Sequence, residues 1–316
     1  MIPRRYRAPI KAAPEGDLIV RTRLTEAAFA LGLTSFVAAT APAPPSMNEI
    51  LATSPRSDWR AIDPADTLVM QLPAGRVAIE LAPQFAPKTI ANIKALMQAH
   101  YFDGSFIVRA QDNYVVQWAR TDKHTLGAAQ PTIPAEFDRG SNGIAFSALS
   151  DPDTYAPEVG FSNDFPAARD PAQGRTWLAH CYGMVGVGRD VAADSGNGSE
   201  LYAVIGQSPR NLDRNVTLVG RVVEGIELLS VMPRGTGALG FYEKPSERIP
   251  IKSIRLGTDM PSAQRVSLET LRTDSPTFSK LLRERRTRPD PWFKHSPGRI
   301  GVCNVPLPVR ATTPKA

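Results

Sequence analysis

The sequence predicts a mainly β fold, and three observations carry that prediction. The 29 prolines and 7% aromatic residues among 316 positions favour turns and irregular segments over a long helical bundle. Leu68, Met70 and Leu72 alternate with other residues, Pro73-Ala74-Gly75 supplies a turn, and Val77, Ile79 and Leu81 alternate again, which is the pattern of a hairpin with one apolar face. Short stretches of strand character then recur at 105–109, 114–118, 183–188, 200–205 and 218–223.

One helix stands out among these strands. Pro87 is well placed to open it, and Ile90, Ile93, Leu96 and Met97 recur at helical spacing until Asp103-Gly104 breaks the pattern. Its apolar stripe is expected to cover the hairpin.

Upstream, Arg21 and Arg23 precede a mostly apolar run, 27–39, interrupted by Gly32, Thr34 and Ser35 and followed by small residues at Ala39, Thr40 and Ala41. That pattern is similar to a secretory signal, and the run is too short and too broken for a comfortable membrane span. Residues 1–45 are therefore expected to form an N-terminal signal segment cleaved between about Ala39 and Ser46, placing the mature chain in the periplasm or otherwise outside the cytosol. An uncleaved anchor or a buried helix is the alternative. Residues 46–65, rich in Pro, Ser and Asp, read as a linker, and the folded domain is expected at 66–257. Within it, 137–177 is rich in Asp, Pro, Asn and Ser without sustained periodicity and reads as an inserted loop. Residues 258–316 form a C-terminal extension, helical over 268–286 and then basic and proline-rich.

The formal net charge of +6 leaves an acidic partner open in principle. The basic residues are scattered, however, and the densest cluster, Arg283, Arg285, Arg286 and Arg288, reads as the solvated face of one helix, so no nucleic acid partner is expected. Contact of the N-terminal segment or the basic tail with a membrane surface stays open, and a monomer is expected. Two cysteines, Cys181 and Cys303, are too few for a disulfide scaffold and wrongly spaced for zinc. In an oxidising compartment they could form one bridge that ties the tail to the central domain. No metal and no cofactor are implied. Gly183, Gly186 and Gly188 do not make a dinucleotide fingerprint, no phosphate loop occurs, and none of His100, His124, His180 and His295 accompanies a Gly-x-Ser-x-Gly nucleophile.

The chemistry is carried by an ordered set of motifs. Gly75-Arg76-Val77-Ala78-Ile79-Glu80-Leu81 is followed by Phe85-Ala86-Pro87-Lys88-Thr89-Ile90-Ala91-Asn92 and by Tyr101-Phe102-Asp103-Gly104-Ser105. Arg109, Tyr114 and Gln117 then follow at spacings of five and three, and later come Gly183-Met184-Val185-Gly186-Val187-Gly188-Arg189, Gly198-Ser199-Glu200-Leu201-Tyr202 and Val219-Gly220-Arg221-Val222-Val223-Glu224-Gly225. Over about 68–232 this order resembles the cyclophilin-type peptidyl-prolyl isomerases. The resemblance implies a closed, eight-stranded antiparallel β-barrel capped by two helices. It also implies cis/trans isomerisation of Xaa-Pro bonds in unfolded or newly exported polypeptides, without a cofactor.

It further implies Arg109, Gln117 and Tyr114 as catalytic residues and Val115, Gly188, Glu200, Tyr202, Asn211 and Leu212 as substrate-binding residues. Arg109 suits the role because a guanidinium stays charged and presents several donors in a planar fork. A rigid prolyl ring needs a concave apolar site, which Tyr114, Val115, Tyr202 and Leu212 would supply. The chain also departs from the family pattern. Ile107-Val108 replaces Phe-His before the Arg, Trp118-Ala119-Arg120 replaces Gly-Gly-Asp after the Gln, and Glu200 stands where Gln is common. No Trp marks the rim near Asn211, and Val216 replaces a His. These departures keep a second reading open, a binding module or holdase on the same fold.

Overall fold

The computed structural model of the chain describes residues 44–265 and 267–312, so the expected signal and its cleavage region fall almost wholly outside the described residues. The chain opens with α1 (Met47–Ala52) and β1 (Trp59–Ala61), then the hairpin β2 (Thr67–Leu72) and β3 (Gly75–Leu81), then α2 (Pro87–Gln98). A second hairpin pairs β4 (Phe106–Ala110) with β5 (Val115–Ala119). Next come β6 (Arg139–Gly140), β7 (Ser147–Leu149), β8 (Glu158–Ser162), β9 (Phe165–Asp170) and β10 (Arg175–Leu178). The main sheet resumes with β11 (Met184–Val187), β12 (Glu200–Val204) and β13 (Leu218–Glu224), and the short α3 (Ile226–Ser230) follows. Strands β14 (Ile249–Pro250), β15 (Ser253–Leu256) and β16 (Leu268–Leu271), helix α4 (Pro276–Thr287) and β17 (Val309–Ala311) complete the chain.

The main sheet holds nine antiparallel strands in the order β14-β4-β5-β12-β11-β13-β3-β2-β15, where eight were expected. The difference arises at one point. Ile251 donates its N–H to Ser105 O beside β4, whereas the next residue, Lys252, donates to Gln71 O beside β2, so one stretch of chain is divided into two edge strands facing opposite neighbours. The expected mainly β fold is thus a curled sheet of nine antiparallel strands whose two edges, β14 and β15, are consecutive in the chain. Its concave side is filled by Leu68, Ile79, Ile93, Leu96, Trp118 and Val219, all fully buried, with α2 supplying Ile93 and Leu96 as its spacing predicts.

The segment 137–177 is not a loop. Strands β6 to β10 make a five-stranded antiparallel sheet in the order β6-β10-β9-β8-β7. Its turns are local: Asn163 and Asp164 both take positive φ, 46° and 67°, in the two-residue turn between β8 and β9. Its strands β8, β9 and β10 are buried on both faces over most of their length, with the small residues Gly160, Ala167 and Ala168 among them, so no alternation reaches the sequence. A Cβ on Gly160 would lie 2.1 Å from the Ser147 carbonyl oxygen across the ladder.

The expected linker is ordered as well. Ser46 and Glu49 form a reciprocal capping box on α1, and Trp59–Ala61 pairs with β16. The stretch expected as helix over 268–286 divides into strand β16 and helix α4. The break falls where Ser275 caps the Phe278 N–H at 3.1 Å and Pro276 takes the first helical position. Strand β16 also pairs with β17, so chain from before and after the main sheet shares one three-stranded sheet. A second core lies here, built from Trp59, Phe161, Trp177, Leu271, Phe278 and Leu281. Cys181 and Cys303 are joined as a disulfide beside it.

Two buried ionic chains fasten the layers. Glu80 on β3 accepts from Arg221 on β13 at 3.2 Å and from Arg60 on β1 at 2.8 Å, and Arg60 continues to Asp164 at 2.9 Å. Asp164 in turn accepts from the Thr273 N–H at 2.7 Å, which links the β8–β9 turn to the C-terminal segment. The other chain begins under the candidate site.

Candidate active site

The outer face of the sheet carries a transverse row of side chains. Arg109 pairs with Gln117 across β4 and β5, Gln117 with Tyr202 across β5 and β12, and Tyr202 with Gly186 across β12 and β11. Strict alternation would send Arg109 to the same side as Ile107, into the core. A bulge between Ile107 and Arg109 prevents this, so that Ile107 and Ala110 both point inward while Arg109 points out. On β5, Val116 and Trp118 face the core and Val115 and Gln117 the outer side. On β12, Leu201 and Ala203 face the core and Glu200 and Tyr202 the outer side. The period of two thus builds the core and the site with the same strands.

This face floors an open cavity of about 590 Å³. Arg109, Tyr114, Val115, Gln117, Gly188, Glu200, Tyr202 and Leu212, eight of the nine residues that the resemblance assigned to catalysis or substrate binding, line it together. Asn211 does not. It sits exposed in the turn Arg210–Leu212, its carbonyl accepting from the Asn215 side chain at 3.2 Å, and of the three side chains in the turn only that of Leu212 lines the cavity. Gly188, which lines the cavity, also has a packing role. A Cβ there would lie 2.8 Å from Glu200 Cγ, so the glycine makes room for the Glu200 side chain. Gly186 does the same for Tyr202, whose ring atoms stand 2.3 Å from where its Cβ would be.

The Arg109 guanidinium is held on three sides. Nε donates to the Leu239 carbonyl at 2.7 Å, one terminal nitrogen to Gln117 Oε1 at 3.0 Å, and the other to Gln111 Oε1. Its charge also lies 5.5 Å from the Tyr114 ring centroid and 5.2 Å from that of Phe241. Burial lowers its pKa, while Tyr114 and Glu200 oppose that shift; an arginine remains charged throughout the working range of a protein. Gln117 accepts from Arg109 and donates its amide to Glu200 Oε1. Burial raises the Glu200 carboxyl above its ordinary range and Asp190 adds to the rise, against the pull of Gln117 and Arg109.

Beneath the row lies the second buried chain. The Tyr202 hydroxyl, which burial keeps protonated, stands 3.0 Å from His180 Nε2, and His180 Nδ1 stands 2.9 Å from Asp213 Oδ1. A carboxylate only accepts, so Nδ1 of the imidazole carries a proton toward Asp213, and the Tyr202 hydroxyl completes the chain at Nε2. Burial pushes the Asp213 carboxyl up, but His180 and Arg210 together hold it below its ordinary value. Arg210 donates to Asp213 at 2.6 Å and makes a two-pronged contact with Asp153 at 2.9 and 3.0 Å. Tyr202 is thereby tied to His180 and Asp153 of the segment between β7 and β11 through Asp213 and Arg210 of the β12–β13 connection.

Sequence reasoning missed this chain and the wall made by Leu239 and Phe241. Both residues are exposed apolar side chains in Gly235-Thr236-Gly237-Ala238-Leu239-Gly240-Phe241, and Phe241 forms a bridge with Arg109. The usable signal was a bulky apolar pair set among closely spaced glycines, a composition that a solvated loop does not need. His180 carried no motif, because its partner Asp213 lies 33 residues away. Among the described residues no cluster of three or more His, Cys, Asp or Glu could hold a metal ion.

Comparison with known proteins points the same way. The family described as cyclophilin type peptidyl-prolyl cis-trans isomerase/CLD matches residues 67–256. Proteins of Brucella suis and Brucella abortus named probable peptidyl-prolyl cis-trans isomerase are each 25% identical over 210 residues, covering 63% of this chain and 87% of theirs. The crystal structure of a cyclophilin from Hirschia baltica superimposes with a TM-score of 0.63 at 23% identity, over 85% of this chain and 98% of that one.

Proposed function

The chain belongs to the cyclophilin-type peptidyl-prolyl cis-trans isomerase family and is an isomerase of Xaa-Pro bonds, and we propose that it acts on exported polypeptides through Arg109. The observation that carries the residue assignment is the fixed guanidinium. Of its five N–H groups three are spent on Leu239, Gln117 and Gln111, which leaves two for a substrate in the cavity.

Rotating a peptide bond costs about 18–20 kcal/mol because amide resonance is lost. As the C–N bond twists, the prolyl nitrogen regains a lone pair and becomes an acceptor. A donor already in place then stabilises the twisted state more than the planar one, which is the requirement for catalysis. No nucleophile and no proton transfer are needed. Tyr114, Val115, Tyr202, Leu212 and Val216 supply apolar surface for the prolyl ring, and the His180–Asp213 pair holds Tyr202 in position.

Export is supported by the pattern at 21–41 and by the Cys181–Cys303 bridge, since such bonds persist in oxidising compartments. Two measurements test the proposal. Turnover of an Ala-Pro peptide by line-shape exchange should fall about a hundredfold or more in Arg109→Ala while the peptide still binds. Mass analysis of the exported protein should find its N-terminus between about Ala39 and Ser46; recovery of soluble cytosolic protein beginning at Met1 would exclude export. Wild-type binding without turnover would favour the binding-module reading.

A further inference from the structure

Helix α4 and the turn after it form a basic surface tipped with aromatic rings. Lys280, Arg283 and Thr287 are all exposed at spacings of three and four, so they make one stripe along the helix. The chain leaves the helix through Arg288 in the left-handed region and turns at Asp290, whose side chain accepts from the Trp292 N–H at 2.7 Å. Ser296 Oγ then donates to the Thr287 carbonyl at 2.6 Å, which folds the turn back against the end of the stripe.

At the tip, Trp292 is 77% exposed and Phe293 37% exposed, the two rings meeting edge to face at 4.9 Å. Every residue from Pro289 to Arg299 is exposed. Residues 280–299 contain seven Lys or Arg against Glu284 and Asp290. None of Lys280, Arg283, Arg288, Lys294 and Arg299 has an acidic side chain within salt-bridge distance among the described residues, whereas Arg286 is taken by Asp151.

We propose that this surface docks on an anionic lipid bilayer, the aromatic pair entering the headgroup layer while the basic stripe lies against it. The two chemistries together select this partner. An indole and a phenyl ring side by side in water are favoured at the lipid interface, and juxtamembrane Lys and Arg are drawn to anionic headgroups. Nucleic acid would satisfy the charge as well, but the Cys181–Cys303 bridge, close to this segment in sequence, suits a compartment where the anionic surface is the membrane. No helix among the described residues is long and apolar enough to cross a bilayer, so the attachment is peripheral. The inference does not depend on the isomerase reading.

Tryptophan emission of the full chain tests it. Trp59, Trp118 and Trp177 are buried, so a change on adding vesicles reports Trp292. Vesicles containing phosphatidylglycerol should shift the emission to the blue, pure phosphatidylcholine should not, and raising the salt should reverse the shift. Trp292→Phe should abolish the shift even where the N-terminal segment still brings protein to the lipid. Lys280→Gln with Arg283→Gln, both exposed and remote from the cavity, should weaken the response about 25-fold, at about fivefold per charge. The proposal is overturned by unchanged emission with anionic vesicles, by equal shifts with neutral ones, or by a larger response to single-stranded DNA at matched charge.

Discussion

Strands β4, β5 and β12 and strands β6 to β10 are both antiparallel, yet they distribute apolar residues in opposite ways. In the first group one face meets the core and the other a cavity, so Val116 and Trp118 alternate with Val115 and Gln117 and the order is visible in the chain. In the second both faces are covered, small residues fill the crowded positions, and Glu158–Ser162 and Phe165–Asp170 show no period. The second sheet and its flanking chain nonetheless help to hold the first in place: Trp177 and His180 donate to Asp213, Arg210 ties Asp213 to Asp153, and His180 reaches Tyr202.

The sharpest way to break that link is Asp213→Ala. It leaves Arg210 buried beside a vacated partner and removes the acceptor of His180, and truncating one member of a buried pair costs about 3–5 kcal/mol. Urea unfolding should record a loss of that size. An unchanged midpoint would mean that the Asp213 cluster contributes nothing to joining the two sheets, leaving the Glu80–Arg60–Asp164 chain and apolar packing to do so.

Arg109→Ala addresses the other side of the comparison. Removing one fixed donor typically costs about 2.7–4 kcal/mol in a transition state, a hundredfold or more in rate. Because Arg109 is only half-buried and spends its bonds on one backbone carbonyl and two glutamines, the melting temperature should stay within a few degrees. Arg109→Lys should rescue only partly, since a point charge cannot reach three acceptors in one plane. Turnover of an Ala-Pro peptide at the wild-type rate would remove Arg109 from the mechanism.

These two substitutions also mark how far the sequence could be read. Arg109, Tyr114 and Gln117 were legible because a single hairpin fixes their spacing, and the core positions of β2, β3 and α2 were legible because each element has one buried face. The bulge at Val108 was invisible, since nothing in Ile107-Val108-Arg109 distinguishes it from regular strand. That Asn211 falls outside the cavity lining was not legible, because the family pattern gives order along the chain, whereas the direction of a side chain in a three-residue turn depends on Pro209 and Asp213 around it. The strand–helix break in the C-terminal extension was written plainly in Ser275-Pro276, but Leu268, Leu271 and Leu281 also fit a helical period.

A smaller effect is expected from the wall that the sequence did not reveal. Phe241→Ala removes a ring 5.2 Å from the Arg109 guanidinium, an interaction of about 0.5–2 kcal/mol. The rate constant should fall severalfold with stability nearly unchanged, and the loss should be greatest for peptides with bulky apolar residues next to proline. A uniform loss across a peptide panel would assign Phe241 to holding Arg109 and not to selecting substrate.

The mildest test replaces Glu200 by Gln. Burial, and secondarily Asp190, raise the folded-state pKa of the carboxyl above the value it has in the unfolded chain. The folded protein therefore keeps this proton more tightly than the unfolded one, and ionisation opposes folding. The sign follows: no cost exists below the ordinary carboxylate range, the cost grows as pH rises from there to the folded-state value, and it is constant above. Glu200→Gln cannot ionise, and its amide oxygen can still accept from Gln117. Its stability relative to the wild type should thus be unchanged at low pH and higher at neutral pH, with activity on an Ala-Pro peptide retained because Arg109 keeps all three of its acceptors. Urea midpoints compared at pH 3 and pH 7 decide the matter: a wild-type protein that gains stability over the variant as pH rises would show that the Glu200 carboxylate is held by a charge partner, and that the row from Arg109 to Tyr202 depends on an ion pair instead of on neutral hydrogen bonds.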